Sequence, residues 1–261
     1  EGSSGNNMEY PGITVIGHQG NRFQLEEVIV HEVAHNWFYG MLGFNERRYP
    51  YLDEGLTTLT EIRYLQNQYK NNLELYKTLG FSEGFAGFIG FEHMRHGYLN
   101  ELLYIFQARK NTDQPLNTSS TGLTSSNYNA MAYGKSSRSF YYLMQYLGEE
   151  KFDSIMEDFT TQWAFKHPYP EDIQQHFQQS TEKDLSWFFE DLTKNDKKID
   201  YKIKARKNNQ IKIKNKGNLA GPLNIQGLNK GANRFSIWEE GFTGSKWISI
   251  PSGNFDQIAI D

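Results

Sequence analysis

Cysteine is absent from the 261 residues. Disulfides, thiolate nucleophiles and cysteine metal ligands are therefore excluded, and any metal site must be assembled from His, Asp and Glu. Long apolar runs are missing too. None approaches the roughly 18 residues that a membrane-spanning helix requires, so no membrane insertion is expected. A surplus of one charge is lacking as well: 27 Lys and Arg against 31 Asp and Glu leave a formal net charge of −4. That balance offers no electrostatic reason for a nucleic-acid or anionic-membrane partner. Residues Glu1 to Tyr10 have neither the basic start nor the apolar stretch of a secretory signal. They read as a loop. The chain is expected to be a fragment of a soluble bacterial protein, with Gly2-Ser3-Ser4-Gly5 readable as native or as a cloning scar. Periplasmic, secreted and cytoplasmic locations all stay open.

What is present suits a globular chain: 38% of residues are hydrophobic and 22% charged, over a length that buries a sizeable core. Ile13-Thr14-Val15-Ile16, bounded by Pro11-Gly12 and Gly17, has the pattern of a short strand. From Phe23 to Leu42 the apolar residues Leu25, Val28, Ile29, Val33, Trp37 and Met41 recur at helical spacing. A second helix is expected from Asp53-Glu54 through Leu65. Residues 71–110 read as helical with a Gly-rich interruption at Gly80 to Gly90, and Asn111 to Asn129 as a polar loop. Helices are expected again at Ala130–Leu147, Lys151–Phe165, Pro170–Gln179 and Leu185–Leu192. Beyond Lys194 the period changes to two, in Tyr201–Lys204 and Ile211–Lys214, with further strands at Phe235–Trp238 and Trp247–Ile250.

His31-Glu32-Val33-Ala34-His35 lies within the first strong helical pattern. Side chains four apart share one helical face, so both imidazoles can reach one ion, with Glu32 beside them as a general base. By itself the motif is moderately specific. Eighteen residues separate His35 from Glu54, among them the breakers Gly40, Gly43 and Pro50, and Glu54 opens a second helix and can return a carboxylate to the same ion. Two His and one Glu leave a fourth position open, the arrangement of a catalytic rather than a structural zinc. Such an ion brings the pKa of its water to about 7 and polarises a carbonyl. Glu32 can then take the proton and hand it to a leaving amine. Glu61, seven residues past Glu54, lies on the same helical face and is a candidate partner for a ligating His; a surface carboxylate is the equal alternative. A lone histidine on an amphipathic helix is more often a core or surface residue, and His93, His96, His167 and His176 are read that way.

The chain resembles the gluzincin aminopeptidases typified by aminopeptidase N. The resemblance is carried by His31 to Phe38 with Gly40, by Tyr51-Leu52-Asp53-Glu54-Gly55 with Glu61, by Met8-Glu9-Tyr10, and by Tyr133-Gly134-Lys135. Lys166-His167-Pro168, Pro170, Asp172 and Trp187-Phe188-Phe189 extend it. It implies an α+β, thermolysin-like and mostly helical catalytic domain over residues 1–194, followed by a small β-sandwich-like module at 195–261. It implies one Zn2+ per chain on His31, His35 and Glu54, and peptide substrates with a free N-terminus. Glu9 would hold the α-amino group, Tyr133 would stabilise the oxyanion, and the backbone near Asn7 and Met8 would lie against the peptide. Asn6, Tyr10 and Ser136 depart from the residues usual in that family. The family's β-rich domain, expected to complete the cleft, is missing from this sequence. A zinc endopeptidase on the same scaffold and a non-catalytic binding protein are the alternatives.

Overall fold

The computed structural model describes residues 7–70, 74–94 and 98–260. The loop expected at residues 1–6, including Asn6, and His96 lie outside them. The chain builds a helical body followed by two small antiparallel sheets. Its first two helices are α1 (Arg22–Ala34) and α2 (Pro50–Gln68). Next come α3 (Leu75–Thr78), α4 (Glu83–Ile89), α5 (Tyr98–Lys110) and α6 (Ser125–Asn127). A π-helical segment, Tyr128–Lys135, runs into α7 (Ser136–Leu147). Then α8 (Glu149–Trp163), α9 (Pro170–Gln179) and a second π-helical segment, Trp187–Leu192, complete the body.

α2 is the hub of the body, with every residue from Pro50 to Leu59 buried. Leu52, Leu56 and Leu59 join Met131, Phe140, Leu143, Phe159 and Phe188 in the main apolar core. α1 is turned the other way. It buries Glu32 and Ala34 and leaves Leu25, Ile29 and Val33 exposed. An amphipathic helix normally hides its apolar stripe; here the polar side faces the rest of the chain.

The strands are β1 (Tyr201–Lys207), β2 (Gln210–Asn215), β3 (Leu223–Asn229), β4 (Ala232–Glu239), β5 (Ser245–Ser249) and β6 (Gln257–Ile260). They form sheets of order β1-β2-β5 and β4-β3-β6. Inward residues of both, Ile211, Ile213 and Ile248 from one and Leu223 and Ile225 from the other, share a second apolar cluster. This is two-sheet packing with alternate residues inside. The hydroxyl of Tyr146 donates to both Glu240 oxygens, at 2.7 and 2.8 Å, and that of Tyr142 to the Pro222 carbonyl. These bonds tie α7 to the β-rich part.

Several expectations need correction. The first helix stops at Ala34 rather than running to Leu42. Gly40 N–H turns back onto the His35 carbonyl, Tyr39 takes φ 103, and Leu42 bridges to Lys166. Ile13–Ile16 forms only an isolated antiparallel bridge, Met8 to Val15. The Gly-rich interruption contains α4, capped by Ser82 and ended by Gly90 at φ 76. β3 and β6 add two strands that the sequence pattern does not announce.

Candidate metal centre

The centre is built by the end of α1 and the start of α2. Asn21 caps α1, its side chain accepting from Phe23 and Gln24 N–H. His31 and Glu32 then fall in the last turn, and His35 is the cap residue at the other end. Gly40 permits the sharp return: a Cβ there would lie 2.8 Å from the Asn36 carbonyl oxygen. α2 opens with Pro50 in its first turn, a position where the missing N–H costs nothing. Asp53 and Glu54 follow at once. Gly55 lets α2 approach the start of α7, since a Cβ there would meet Ser136 Cβ and Oγ at 2.7 Å. That contact brings the π-helical segment carrying Tyr133 beside Glu54. Short π-helical segments recur at functional sites because they re-aim side chains that a regular helix would turn away.

Three donor atoms converge. His31 Nε2 lies 3.2 Å from Glu54 Oε2, His35 Nε2 lies 3.5 Å from the same oxygen, and the two Nε2 atoms are 3.3 Å apart. Ligands bonded at about 2.0–2.1 Å around a tetrahedral zinc are about 3.3 Å from one another. All three edges match that separation. The far ring nitrogens are engaged elsewhere. His31 Nδ1 faces Glu61 Oε2 at 3.2 Å. His35 Nδ1 faces Asp53 Oδ1 at 2.9 Å, the Phe38 carbonyl at 3.1 Å and Thr57 Oγ1 at 3.2 Å. Donation from each Nδ1–H leaves both Nε2 lone pairs directed at the meeting point.

The electrostatics suit a cation. Burial works against charging either imidazole, yet Glu54 and Glu61 hold His31 up at about 10. Asp53 and Glu54 likewise hold His35 at about 11 against its burial. Burial also opposes ionisation of Glu54, but the two imidazoles bring it down to about 2. Asp53 is pushed up to about 7 by burial, against the pull of His35. A divalent cation among the three donors would take over the charge balance that imidazole protons otherwise supply. The residues present therefore fit zinc in donor type, spacing and charge.

Other residues expected at the site come to the same place. Glu32 is buried and its Oε2 has no hydrogen-bond partner; burial raises its pKa, against the two imidazoles. Tyr133 Oη donates to Glu54 Oε1 at 2.5 Å, and its ring stacks on His31 at 5.8 Å. Burial first, then Glu54, raises the pKa of that phenol. Met8 exchanges backbone bonds with Val15 at 3.0 and 2.8 Å, and Asn7 Oδ1 accepts from Gly17 N–H and Gln19 Nε2. Carried on this short ribbon, Glu9 puts a carboxylate oxygen within 4.8 Å of a His35 nitrogen and an Asp53 oxygen. The other described histidines named above do structural work or none: His167 Nδ1 is 3.0 Å from the Gly43 carbonyl, His176 Nε2 is 3.2 Å from the Ile155 carbonyl, and His93 is exposed.

Asp53, Thr57 and Tyr128 also reach the site, although no spacing in the sequence gives them a role there. Asp53 had a signal of a kind, its adjacency to Glu54, but nothing in the spacing said that it would face His35. Tyr128 lies edge-on to Tyr133 with ring centroids 6.0 Å apart, which depends on the π-helical geometry.

Residues 15–192 match the family model described as the peptidase family M1 domain. Among solved structures, the chain is similar to a mutant M1 zinc metallopeptidase from Deinococcus radiodurans bound to a Tyr-Ser-Ala substrate. That likeness has 14% identity, a TM-score of 0.52, and covers 74% of this chain and 37% of that one. It is also similar to Legionella pneumophila aminopeptidase A in complex with aspartic acid, with 19% identity, a TM-score of 0.55, and coverage of 86% of this chain and 24% of that one. At these identities the likeness speaks for the fold alone, and the chain spans well under half of either structure. A search of curated protein sequences finds no significant match.

Proposed function

The chain belongs to peptidase family M1, and from that premise we propose that it is the catalytic part of a zinc aminopeptidase, removing the N-terminal residue of peptides. The observation that carries the reading is the triangle of His31 Nε2, His35 Nε2 and Glu54 Oε2, with edges of 3.2 to 3.5 Å, beside a buried and partnerless Glu32 oxygen. When bound there, zinc supplies Lewis-acid polarisation of the scissile carbonyl and lowers the pKa of water to about 7.

The chain's own groups do the rest. Glu32 Oε2 receives the proton of the attacking water and returns it to the leaving amine; its raised pKa brings it nearer the working pH of a shuttle. Tyr133 Oη has a single proton, which it donates to Glu54 Oε1 in the free chain; turned from that oxygen to the substrate, it donates the proton to the developing oxyanion, a stabilisation typically worth a few kcal/mol. Glu61 and Asp53 keep the two ligating rings turned the right way. Glu9 holds the substrate's ammonium group. Met8 spends its backbone groups on Val15, so those of Asn7 and Glu9 point to the opposite side, where an extended peptide can pair with them.

A β-rich domain completing the cleft would have the outward face of α1 to cover. On that face Leu25, Ile29 and Val33 are 40 to 43% exposed, and Trp37, beyond the end of the helix, is 50% exposed. Residues 1–194 are read as the catalytic domain and 195–261 as the appended β module.

Paired fluorogenic substrates test the reading. The zinc-loaded chain is expected to cleave free-amine aminoacyl coumarins and to leave their N-acetylated forms intact. Cleavage of blocked peptides with equal efficiency would favour an endopeptidase. A Glu32→Gln variant that holds zinc and still turns over would remove Glu32 from its role.

A further inference from the structure

The outer face of the sheet β1-β2-β5 carries lysines around one exposed indole, and we propose that it docks the protein on an anionic lipid surface. The inference concerns the β-rich part of the chain and does not depend on the peptidase reading.

The net charge of −4 averages over an uneven distribution. β1, β2 and β5 contain no Asp or Glu, while Lys and Arg recur along them. Register and the period of two decide which of these point outward. Ile203 pairs with Ile213, and Ile211 with Ile248, on the inner side against the second apolar cluster. Lys202 opposite Lys214, Ala205 opposite Lys212, Lys207 opposite Gln210 and Trp247 opposite Lys212 then fall on the outer side. Lys202, Lys207 and Lys214 are exposed, Lys212 is half-buried, and Trp247 keeps 43% of its surface in solvent. Lys204 adds another exposed lysine at the bulge between Ile203 and Ala205. The inward cations are already engaged: Arg206 lies over the Phe255 ring and Lys246 bonds Glu239. Among the described residues, none of the outward lysines forms an ion pair or a side-chain hydrogen bond.

This arrangement works against the stability of the sheet. Like charges directly opposite on one face repel, and Lys202 meets Lys214 with no acid on the strands to separate them. Ammonium groups are too costly to bury in a dry interface, so a partner that covers this face must itself bring negative charge. Shape narrows the choice. The face is the flat side of a sheet with a single aromatic ring, whereas single-stranded nucleic acid is held on several stacking rings. A headgroup layer is likewise an extended plane of negative charge. Clusters of about four to eight Lys and Arg are what anionic bilayers attract, and an indole settles at headgroup depth. Trp247, beside Lys212, supplies that ring. The docking is peripheral, since no described helix is long and apolar enough to cross a membrane.

Sedimentation with vesicles tests the inference. The full chain is mixed at low salt with vesicles of phosphatidylcholine, or of phosphatidylcholine and phosphatidylglycerol in equal parts. It is expected to sediment only with the second, and to be released as salt approaches about 1 M, where the screening length falls to about 3 Å. Lys202→Gln combined with Lys214→Gln should weaken partition by about 25-fold, at about fivefold for each lysine near a charged surface. Trp247→Ala should weaken it as well. Lys110→Gln combined with Lys151→Gln removes the same charge from exposed positions on α5 and α8 and should leave partition unchanged.

Sedimentation with neither vesicle, equal sedimentation with both, or equal losses in the two double variants would overturn the inference. A Lys202→Gln, Lys214→Gln protein or a Trp247→Ala protein that partitions like the parent would overturn it too. So would tighter binding to a single-stranded oligonucleotide than to the anionic vesicles at the same salt, which would give the face to nucleic acid.

Discussion

Replacing Gly55 with alanine should damage both stability and activity, and replacing Ser136 with glycine should repair both. A Cβ on residue 55 would lie 2.7 Å from Ser136 Cβ and Oγ, and Ser136 sits where the π-helical segment hands over to α7. Both positions are fully packed, so neither side can yield without moving a helix. Overpacking of this kind costs about 1–3 kcal/mol. From the middle of that range, about 2 kcal/mol, alanine's better helix propensity returns at most about 1 kcal/mol, which leaves a net destabilisation of about 1–2 kcal/mol. For a chain of this size each kcal/mol lowers Tm by about 2–4 °C, giving a fall of roughly 2–8 °C. The same shift separates Glu54 from Tyr133, which now meet at 2.5 Å. Misplacement by about 1 Å can cost up to a hundredfold in rate. Denaturation of the zinc-loaded wild type, Gly55→Ala, Ser136→Gly and the double variant measures the coupling between the positions. A Gly55→Ala protein as stable as wild type, or a double variant no more stable than Gly55→Ala, would refute the close-packing account.

Two further outcomes follow from the site. Zinc binding at pH 7 should release nearly two protons, because the metal-free imidazoles are held up at about 10 and 11 and must each lose one to become ligands. Apparent affinity therefore rises with pH through neutrality and falls as pH drops. Calorimetry in buffers of different ionisation enthalpy counts the protons, and a count near zero would contradict the assignment. Tyr133→Phe should keep its zinc and lose about 10²–10³-fold in kcat, since the phenol is a donor to the oxyanion rather than a ligand; an unchanged kcat would remove it from that role.

Much of the centre is legible in the sequence because it depends on local geometry. Helical pitch places His31 and His35 on one face. The breakers Gly40, Gly43 and Pro50 make the return of Glu54 plausible from spacing alone. The motif resemblance and the family match point to the same family. What the sequence hides depends on contacts far apart along the chain. Trp37 and Met41 keep the helical spacing of α1, yet the chain leaves the helix after Ala34 because Leu42 pairs with Lys166 and Gly43 N–H bonds the Lys166 carbonyl. β3 alternates Leu223 and Ile225 with Asn224 and Gln226 for four residues only, between Pro222 and a Gly227 that lies under the Phe235 ring, so turn-forming residues close to both ends mask the strand. Asp53 faces His35 only because α1 and α2 cross where they do. The π-helical segment at Tyr128–Lys135 arises from its packing against α2 and α5, which no period in the sequence announces.

The most direct test of the central claim is the zinc content of the purified chain and of its ligand variants after dialysis against buffered zinc. The account expects one zinc per chain in the wild type and in Glu32→Gln. It expects loss of tight binding in His31→Ala, His35→Ala and Glu54→Ala, with all five proteins folded by circular dichroism. A full complement of equally tight zinc in any of the three ligand variants would contradict it.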